Sequence, residues 1–544
     1  MPLQIGRRSL AAALRSRAGS GTSGPRVAIV GAGLSGLGMA VQLELAGFSD
    51  YTLFEKSDEV GGTWRDNTYP GSGCDVPSHL YSFSFATKSD WSRKYAEQPE
   101  ILGYAQALAG SHGIRSHIRF GAEVISLRYR DETGTWMLEV DRCEPGASTA
   151  RSHDRVREEF EADFVIAACG QLNRPSTPDI RGIEDFDGPV FHSARWDHSV
   201  DLASRDVAVV GNGASAIQFV PPVAAVAKRV TIFQRSPNYV APKIDKAYKP
   251  WWHWTLAHIT PAERLYRWSI YWRLELRFFA FRRGAWMGKL IENRFSREVR
   301  KALVSEELPE PALIPDFPVG CKRILLSSDW YPTILQPHVH VVSSPISRIE
   351  RDGVVTEDGL HHPATALIFA TGFDTLDFLA PIEVKGRDGV DLHETWRAGA
   401  EANLGMTVAG FPNLFLLYGP NTNLGHNSIL FMVERQIDYI SQCLAAMVRG
   451  DLESIEVRRE PMERFNHSVQ EKMRRTAWAG SCRSWYKTAS GKVTNNWPGF
   501  TVRYWLETLR PKMDDFVLDS SEGPRQRSGA VFVAELAEAH SDEA

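Results

Sequence analysis

The sequence predicts an α/β fold with two parallel-sheet units, one inserted within the other, and three observations carry that prediction. At residues 26–36, "RVAIVGAGLSG" is an apolar β-branched strand that runs into closely spaced glycines and then into the helical pattern "LGMAVQLELAG". The same arrangement recurs at 205–216 in "RDVAVVGNGASA". Two further apolar strands, "DFVIAACGQLNRP" (163–175) and "TALIFATGFD" (365–374), end in small residues and read as the crossings between the units.

Each strand–glycine–helix unit has the form of a Rossmann-type dinucleotide cradle, in which glycines allow a tight turn and bring a pyrophosphate to a helix N-terminus. In the first cradle the glycines are Gly31, Gly33 and Gly36, and the next strand ends at Glu55. A carboxylate there suits a ribose 2′-hydroxyl and repels a 2′-phosphate. In the second cradle Gly211, Gly213 and Ala216 hold the equivalent places, and Arg235 stands at the spacing Glu55 has in the first. A guanidinium at that position suits a phosphate. The first cradle therefore calls for a dinucleotide with a free ribose, such as FAD, and the second for NADPH.

Composition narrows the class further. The chain has 544 residues, which implies two or three domains, and a formal charge of −4 gives no reason to expect nucleic acid as a partner. The six cysteines lie far apart without a CxxC pair, which argues against a zinc site or a disulfide framework and points to a reducing, cytoplasmic setting; no metal is expected. No apolar run approaches the roughly 18 residues that a spanning helix requires. Residues 1–24 carry four arginines and no acid, and read as a disordered extension rather than a targeting peptide.

Between the cradles lies "FDGPVFHSARWD" (186–197), which matches the fingerprint FxGxxxHxxxW(P/D) through Phe186, Gly188, His192, Trp196 and Asp197. A second pattern, (A/G)GxWxxxx(F/Y)P(G/M)xxxD, fits "GGTWRDNTYPGSGCD", with Gly61, Gly62, Trp64, Tyr69, Pro70, Gly71 and Asp75 in place. With both cradles in order, residues 25–500 resemble the type I Baeyer–Villiger monooxygenases. The wider flavin-dependent group that oxidises nitrogen and sulfur shares the cradles and is the alternative, but Trp196-Asp197 favours the Baeyer–Villiger branch. The resemblance implies that NADPH reduces FAD, O2 forms a C4a-peroxyflavin, and a ketone becomes an ester or lactone. It also implies an FAD-binding domain at 25–175 and 366–511, a linker at 176–200, and an NADPH-binding domain at 201–365.

The resemblance assigns residues as well. Arg323, in "PDFPVGCKRILLSSDWYP", is the expected fixed cation, with Asp75 to orient it and Lys322 to face the 2′-phosphate beside Arg235 and Ser236. Gly62, Thr63, Trp64 and Tyr81 join the flavin cradle. His192 and Trp196 are expected as conformational parts of a joint. Trp485 belongs to an expected mobile loop at 481–499 that closes over NADP+. Relatives commonly carry Arg two positions before the aspartate, where this chain has Gly73. Residues 245–305 form an expected helical insertion whose aromatic residues make a buried face rather than a membrane-skimming surface. Residues 512–544 read as a frayed tail. The partners implied are a small ketone and O2, without membrane contact.

Overall fold

The computed structural model describes residues 4–17, 24–143, 155–259, 261–302, 310–450, 452–480, 482 and 484–520. Two five-stranded parallel sheets organise it. The first has the order Leu414–Leu416, Phe164–Ala167, Val27–Val30, Tyr51–Glu55, Ile118–Phe120. The second runs Val339–Val342, Arg229–Phe233, Asp206–Val210, Ala366–Phe369, Val190–His192. The glycine-flanked strands at 27 and 206 lie inside their sheets. The residues of Val27–Val30 and Ala366–Phe369 are buried on both faces, as their unbroken apolar runs require. At both turns the backbone enters a region that favours glycine, with φ +105° at Gly31 and +109° at Gly211. A Cβ would also stand 2.8 Å from the Ala168 carbonyl oxygen at the first and 2.4 Å from that of Ala370 at the second.

The first sheet is completed by Leu414–Leu416, after the chain has traced the whole of the second. The two crossings lie together. Pro175 bridges Phe373, Ser176 N donates to Gly372 O at 2.9 Å, and Val190–His192 pairs with Leu367–Phe369. Two smaller sheets of three or more strands were not anticipated. One joins Ala122–Arg130, Thr135–Cys143 and Arg155–Ala162 with Glu383–Lys385, and the other joins Ile346–Glu350, Gly353–Thr356 and His361–Pro363.

Two expectations about segments need correction. Within residues 1–24, Ile5–Arg17 is a helix packed along Ile429–Gly450, with Gly6 N donating to Asp438 Oδ1 at 2.8 Å and Leu10 and Ala13 fully buried. A Cβ at Gly6 would stand 2.0 Å from Asp438 O, so a small residue is what permits the close approach. Residues 1–3 and 18–23 of that extension lie outside the described residues. Of the expected tail, Phe516–Ser520 is a strand antiparallel to Leu452–Val457; residues 521–544 lie outside the described residues.

In the expected insertion Pro250–His258, Ala262–Glu275 and Trp286–Ala302 are helices, with residues 303–305 outside the described residues. A buried aromatic face is present, with Tyr271, Phe278 and Phe281 in the core, but a second set of aromatic residues faces outward. Trp251, Trp254, Trp268, Trp272 and Trp286 are exposed, whereas Arg267 and Glu275 are buried against the body of the molecule. Those two charges are satisfied there. Arg267 donates to Ser82 Oγ and to the carbonyls of His79 and Ser82, and Glu275 accepts from Asn427 Nδ2 and Thr501 Oγ1, both at 2.8 Å.

Candidate active site

Both cradle helices open into one cleft of about 1700 Å³. The helix Leu34–Ala46 starts at Gly33 and Ala214–Ala224 at Gly213, and neither first turn is capped by a side chain. A Cβ on Gly33 would meet nothing nearer than Gly62 Cα at 3.8 Å, and one on Gly213 would meet nothing within 4 Å. At these two places the glycine leaves room on the cleft side, which fits a pyrophosphate brought close to backbone amides. Gly36 and Ala216 do not line the cleft; a Cβ on Gly36 would strike Gly31 O at 2.0 Å, and Ala216 is fully buried.

Glu55 lies at the end of its strand, buried, with Oε2 accepting from Ala32 N at 2.9 Å and Oε1 from Ser57 N at 3.1 Å. Its carboxylate is thus fixed at the cleft wall with acceptor capacity left for a hydroxyl. Gly62, Thr63, Trp64 and Tyr81 line the same half, and Trp64 Nε1 donates to Tyr81 Oη at 3.1 Å. In the other half Arg235 is exposed at the rim, and Lys322 Nζ donates to Ser236 Oγ at 2.7 Å. Burial, and then the charge of Arg235, lowers the Lys322 ammonium below its usual range.

Between the halves Arg323 and Asp75 form a forked ion pair, with Nε donating to Oδ2 at 3.0 Å and the Nη2 amine to Oδ1 at 2.7 Å. They are 248 residues apart in sequence. Burial pushes the Asp75 carboxyl upward, and the Arg323 charge and hydrogen bonds reverse this and leave it below its usual range. Asp75 in turn raises the guanidinium, so both partners stay ionised. Asp75 therefore orients an arginine and caps no helix. Gly73, where the family resemblance leads one to expect Arg, has its carbonyl accept from Gln218 Nε2 at 3.0 Å, and a side chain there would press on Ala96 O at 3.2 Å.

The joint residues lie off the cleft. Phe186 is buried, and a Cβ on Gly188 would stand 2.5 Å from Thr365 O. His192 Nδ1 accepts from Ala194 N at 3.0 Å, and burial together with the Arg195 charge pulls its pKa to about 4. Trp196 packs edgewise or tilted between Phe191 and Phe219, with ring centroids at 5.1 and 5.2 Å. Asp197 Oδ1 accepts from the Ser199 hydroxyl at 2.6 Å and from Ser199 N. The joint touches the second pattern directly, through Thr68 Oγ1 and His198 Nε2 at 2.8 Å.

Several participants were not anticipated. Tyr418 lines the cleft near Arg323, and the neighbouring Tyr486, pushed up to about 12 by burial, stays protonated. Gln218, on the second cradle's helix, accepts from Tyr69 Oη at 2.9 Å while donating to Gly73 O, and so ties the two halves. Cys321 and Cys482 form a disulfide, which corrects the expectation that the cysteines stay unpaired. It holds the 481–499 segment to the residue next to Lys322. Of that expected mobile loop, Val493–Trp497 is packed core, bonded to Asn421 and Asn423; Trp485 lines the cleft, with its carbonyl accepting from Thr375 and Asn495. Ser481 and Arg483 lie outside the described residues.

Two nucleotide cradles sharing a cleft with a fixed cation define a flavin- and nicotinamide-dependent oxidoreductase. The chain belongs to the flavin-binding monooxygenase-like family, which it matches over residues 24–383. It is 41% identical over 498 residues to a Baeyer-Villiger monooxygenase of Streptomyces coelicolor, covering 90% of this chain and 92% of that one. It is 39% identical to a Baeyer-Villiger monooxygenase of Pseudomonas aeruginosa, with 88% of each chain covered. Among solved structures, a steroid monooxygenase bound to NADP superposes with a TM-score of 0.78 at 27% identity, covering 91% of this chain and 99% of that one. The closed form of cyclohexanone monooxygenase gives 0.79 at 26% identity, covering 92% and 100%.

Proposed function

We propose that this chain inserts one oxygen atom of O2 into a ketone to give an ester or lactone, consuming NADPH and releasing NADP+ and water. The observation that carries this reading is the forked Arg323–Asp75 pair set between two helix N-termini in one cleft. The named relatives support it, and a cyclohexanone monooxygenase bound to ε-caprolactone, a lactone, is among the similar structures.

FAD, held by Gly31, Gly33, Glu55, Gly62, Thr63, Trp64 and Tyr81, supplies hydride acceptance and oxygen activation when bound. Arg235, Ser236 and Lys322 hold the NADPH phosphate. Arg323 stabilises negative charge as it develops on oxygen in the cleft, and Asp75 fixes the guanidinium so that no reorganisation is needed. Trp485, with the disulfide-tethered segment around it, shields the cleft from water. His192 is neutral at physiological pH and serves the joint between an FAD domain and an inserted NADPH domain. We place this chemistry in the cytoplasm, on the ground of NADPH supply; the cysteines no longer argue for it.

The test is to supply the holoenzyme with NADPH, 18O2 and a panel of cyclic, aryl and linear ketones. The expected result is an ester carrying one 18O. NADPH consumption without labelled ester from any ketone would overturn the reading.

A further inference from the structure

The helix Ala262–Glu275 and the turn that continues it to Phe281 carry apolar residues on both faces. The face against the body carries Arg267, Ile270, Tyr271, Leu274 and Glu275, with both charges satisfied. The face toward solvent carries Leu265, Trp268, Trp272, Leu276 and Phe279, at spacings of three and four residues. This is one straight apolar stripe about 20 Å long. Exposed Arg264, Arg273 and Arg277 flank it, and none of them pairs with a carboxylate among the described residues. The nearby acids point inward, Glu263 accepting from Thr87 Oγ1 and Glu275 lying buried. Trp251, Trp254 and Trp286 on the adjoining helices are exposed as well, and every exposed tryptophan among the described residues falls between positions 251 and 286.

Charge decides what covers this face. Residues 249–301 contain 12 Lys and Arg against four Asp and Glu, in a chain whose totals are 62 and 66. A second copy of the same face would bring arginines against arginines. An anionic lipid headgroup layer answers both features: indole and aliphatic side chains enter the acyl boundary while the arginines meet phosphates. No helix of the described residues is long and apolar enough to cross a membrane, so the contact is peripheral. We infer that the 250–301 insertion is a docking surface for an anionic phospholipid bilayer, seated through Trp268, Trp272, Leu276 and their flanking arginines. The inference runs against the expectation of no membrane contact and rests on the outward tryptophans, which lie opposite the buried aromatic residues of the same helix and turn.

The test uses the FAD-loaded full chain with vesicles of phosphatidylcholine alone and of phosphatidylcholine with 30% phosphatidylglycerol. Flotation should recover the protein with the anionic vesicles and leave it free of the neutral ones, with binding weakened at high salt. Brominated acyl chains should quench part of the tryptophan fluorescence. Trp268→Ser combined with Trp272→Ser should cut binding about tenfold or more, and flavin content reports whether that variant is folded. Arg273→Glu with Arg277→Glu leaves the apolar stripe intact and should lower binding about tenfold or more as well. Three results would overturn the inference: no flotation with either vesicle; flotation untouched by both folded variants; or a dimer in sedimentation that the tryptophan variant dissociates while vesicles bind neither form.

Discussion

In the first cradle the Glu55 carboxylate is buried and held by two backbone amides, whereas in the second the Arg235 guanidinium stands exposed and makes no hydrogen bond or ion pair among the described residues. Strand, glycines and helix are alike in the two, yet one anchor is set before any ligand arrives and the other is left open to solvent. A preset buried anchor suits a cofactor that stays. An open one, backed by Lys322 and Ser236, suits a nucleotide that arrives and leaves within each turnover. The difference between resident and visitor is thus written less in the glycine motif than in what surrounds the residue at the strand end.

The sharpest test of the comparison removes the group on which both cradles converge. Arg323→Ala should retain FAD and accept hydride from NADPH, yet ester formation should fall roughly 10²–10³-fold, with NADPH consumption appearing as H2O2. Parallel assays of product and peroxide check this, and substantial ester from the variant would remove Arg323 from the mechanism.

The joint between the cradles comes next. His192 titrates at about 4 in the folded chain against an ordinary value near 6.5, so on acidification the unfolded chain takes up its proton first. Its contribution to stability is complete above about pH 6.5 and is lost as pH falls toward 4, to a total of about 3 kcal/mol. His192→Asn should therefore flatten the decline of Tm across that window. Parallel curves for variant and parent would show that the joint histidine is not the group being charged.

Breaking the open anchor should have a smaller effect, confined to one nucleotide. Arg235→Ala should raise the KM for NADPH about tenfold and leave NADH nearly unchanged, since one charge-assisted contact is lost. Equal effects on both nucleotides would place the phosphate elsewhere. The smallest expected effect is at the preset anchor. Glu55→Gln turns a donor toward Ala32 N or Ser57 N, and should speed FAD loss about fivefold in a dilution assay read by flavin fluorescence. Unchanged retention would mean that the buried carboxylate only serves its own turn.

Both cradles were legible in the sequence because glycine spacing and a strand-end charge are local features. The Arg323–Asp75 pair was not local, and its partners came from resemblance to a family. Other features resisted reading for identifiable reasons. Ile5–Arg17 buries Gly6, Ser9, Leu10 and Ala13, and small side chains of this kind leave little apolar pattern until Ile429–Gly450 is seen beside them. Cys321 and Cys482 lie 161 residues apart, with nothing nearby to announce a bond. The aromatic stretch was half legible: Tyr271, Phe278 and Phe281 are buried as apolar residues ordinarily are, but Arg267 and Glu275 share that inner face while five tryptophans stand outside.

The late return of Leu414–Leu416 to the first sheet has a consequence for how the chain is made. Phe164–Ala167 emerges from the ribosome about 250 residues before the strand that covers its edge. At about 5–20 residues per second, that edge stays open for about 12–50 s, while the whole second sheet is synthesised. An uncovered edge rich in β-branched and aromatic residues is a template for wrong pairing. Translation speed through residues 168–413 therefore sets how long each nascent molecule is open to aggregation, and yield should rise when initiation is slowed so that neighbouring chains on one messenger stand further apart.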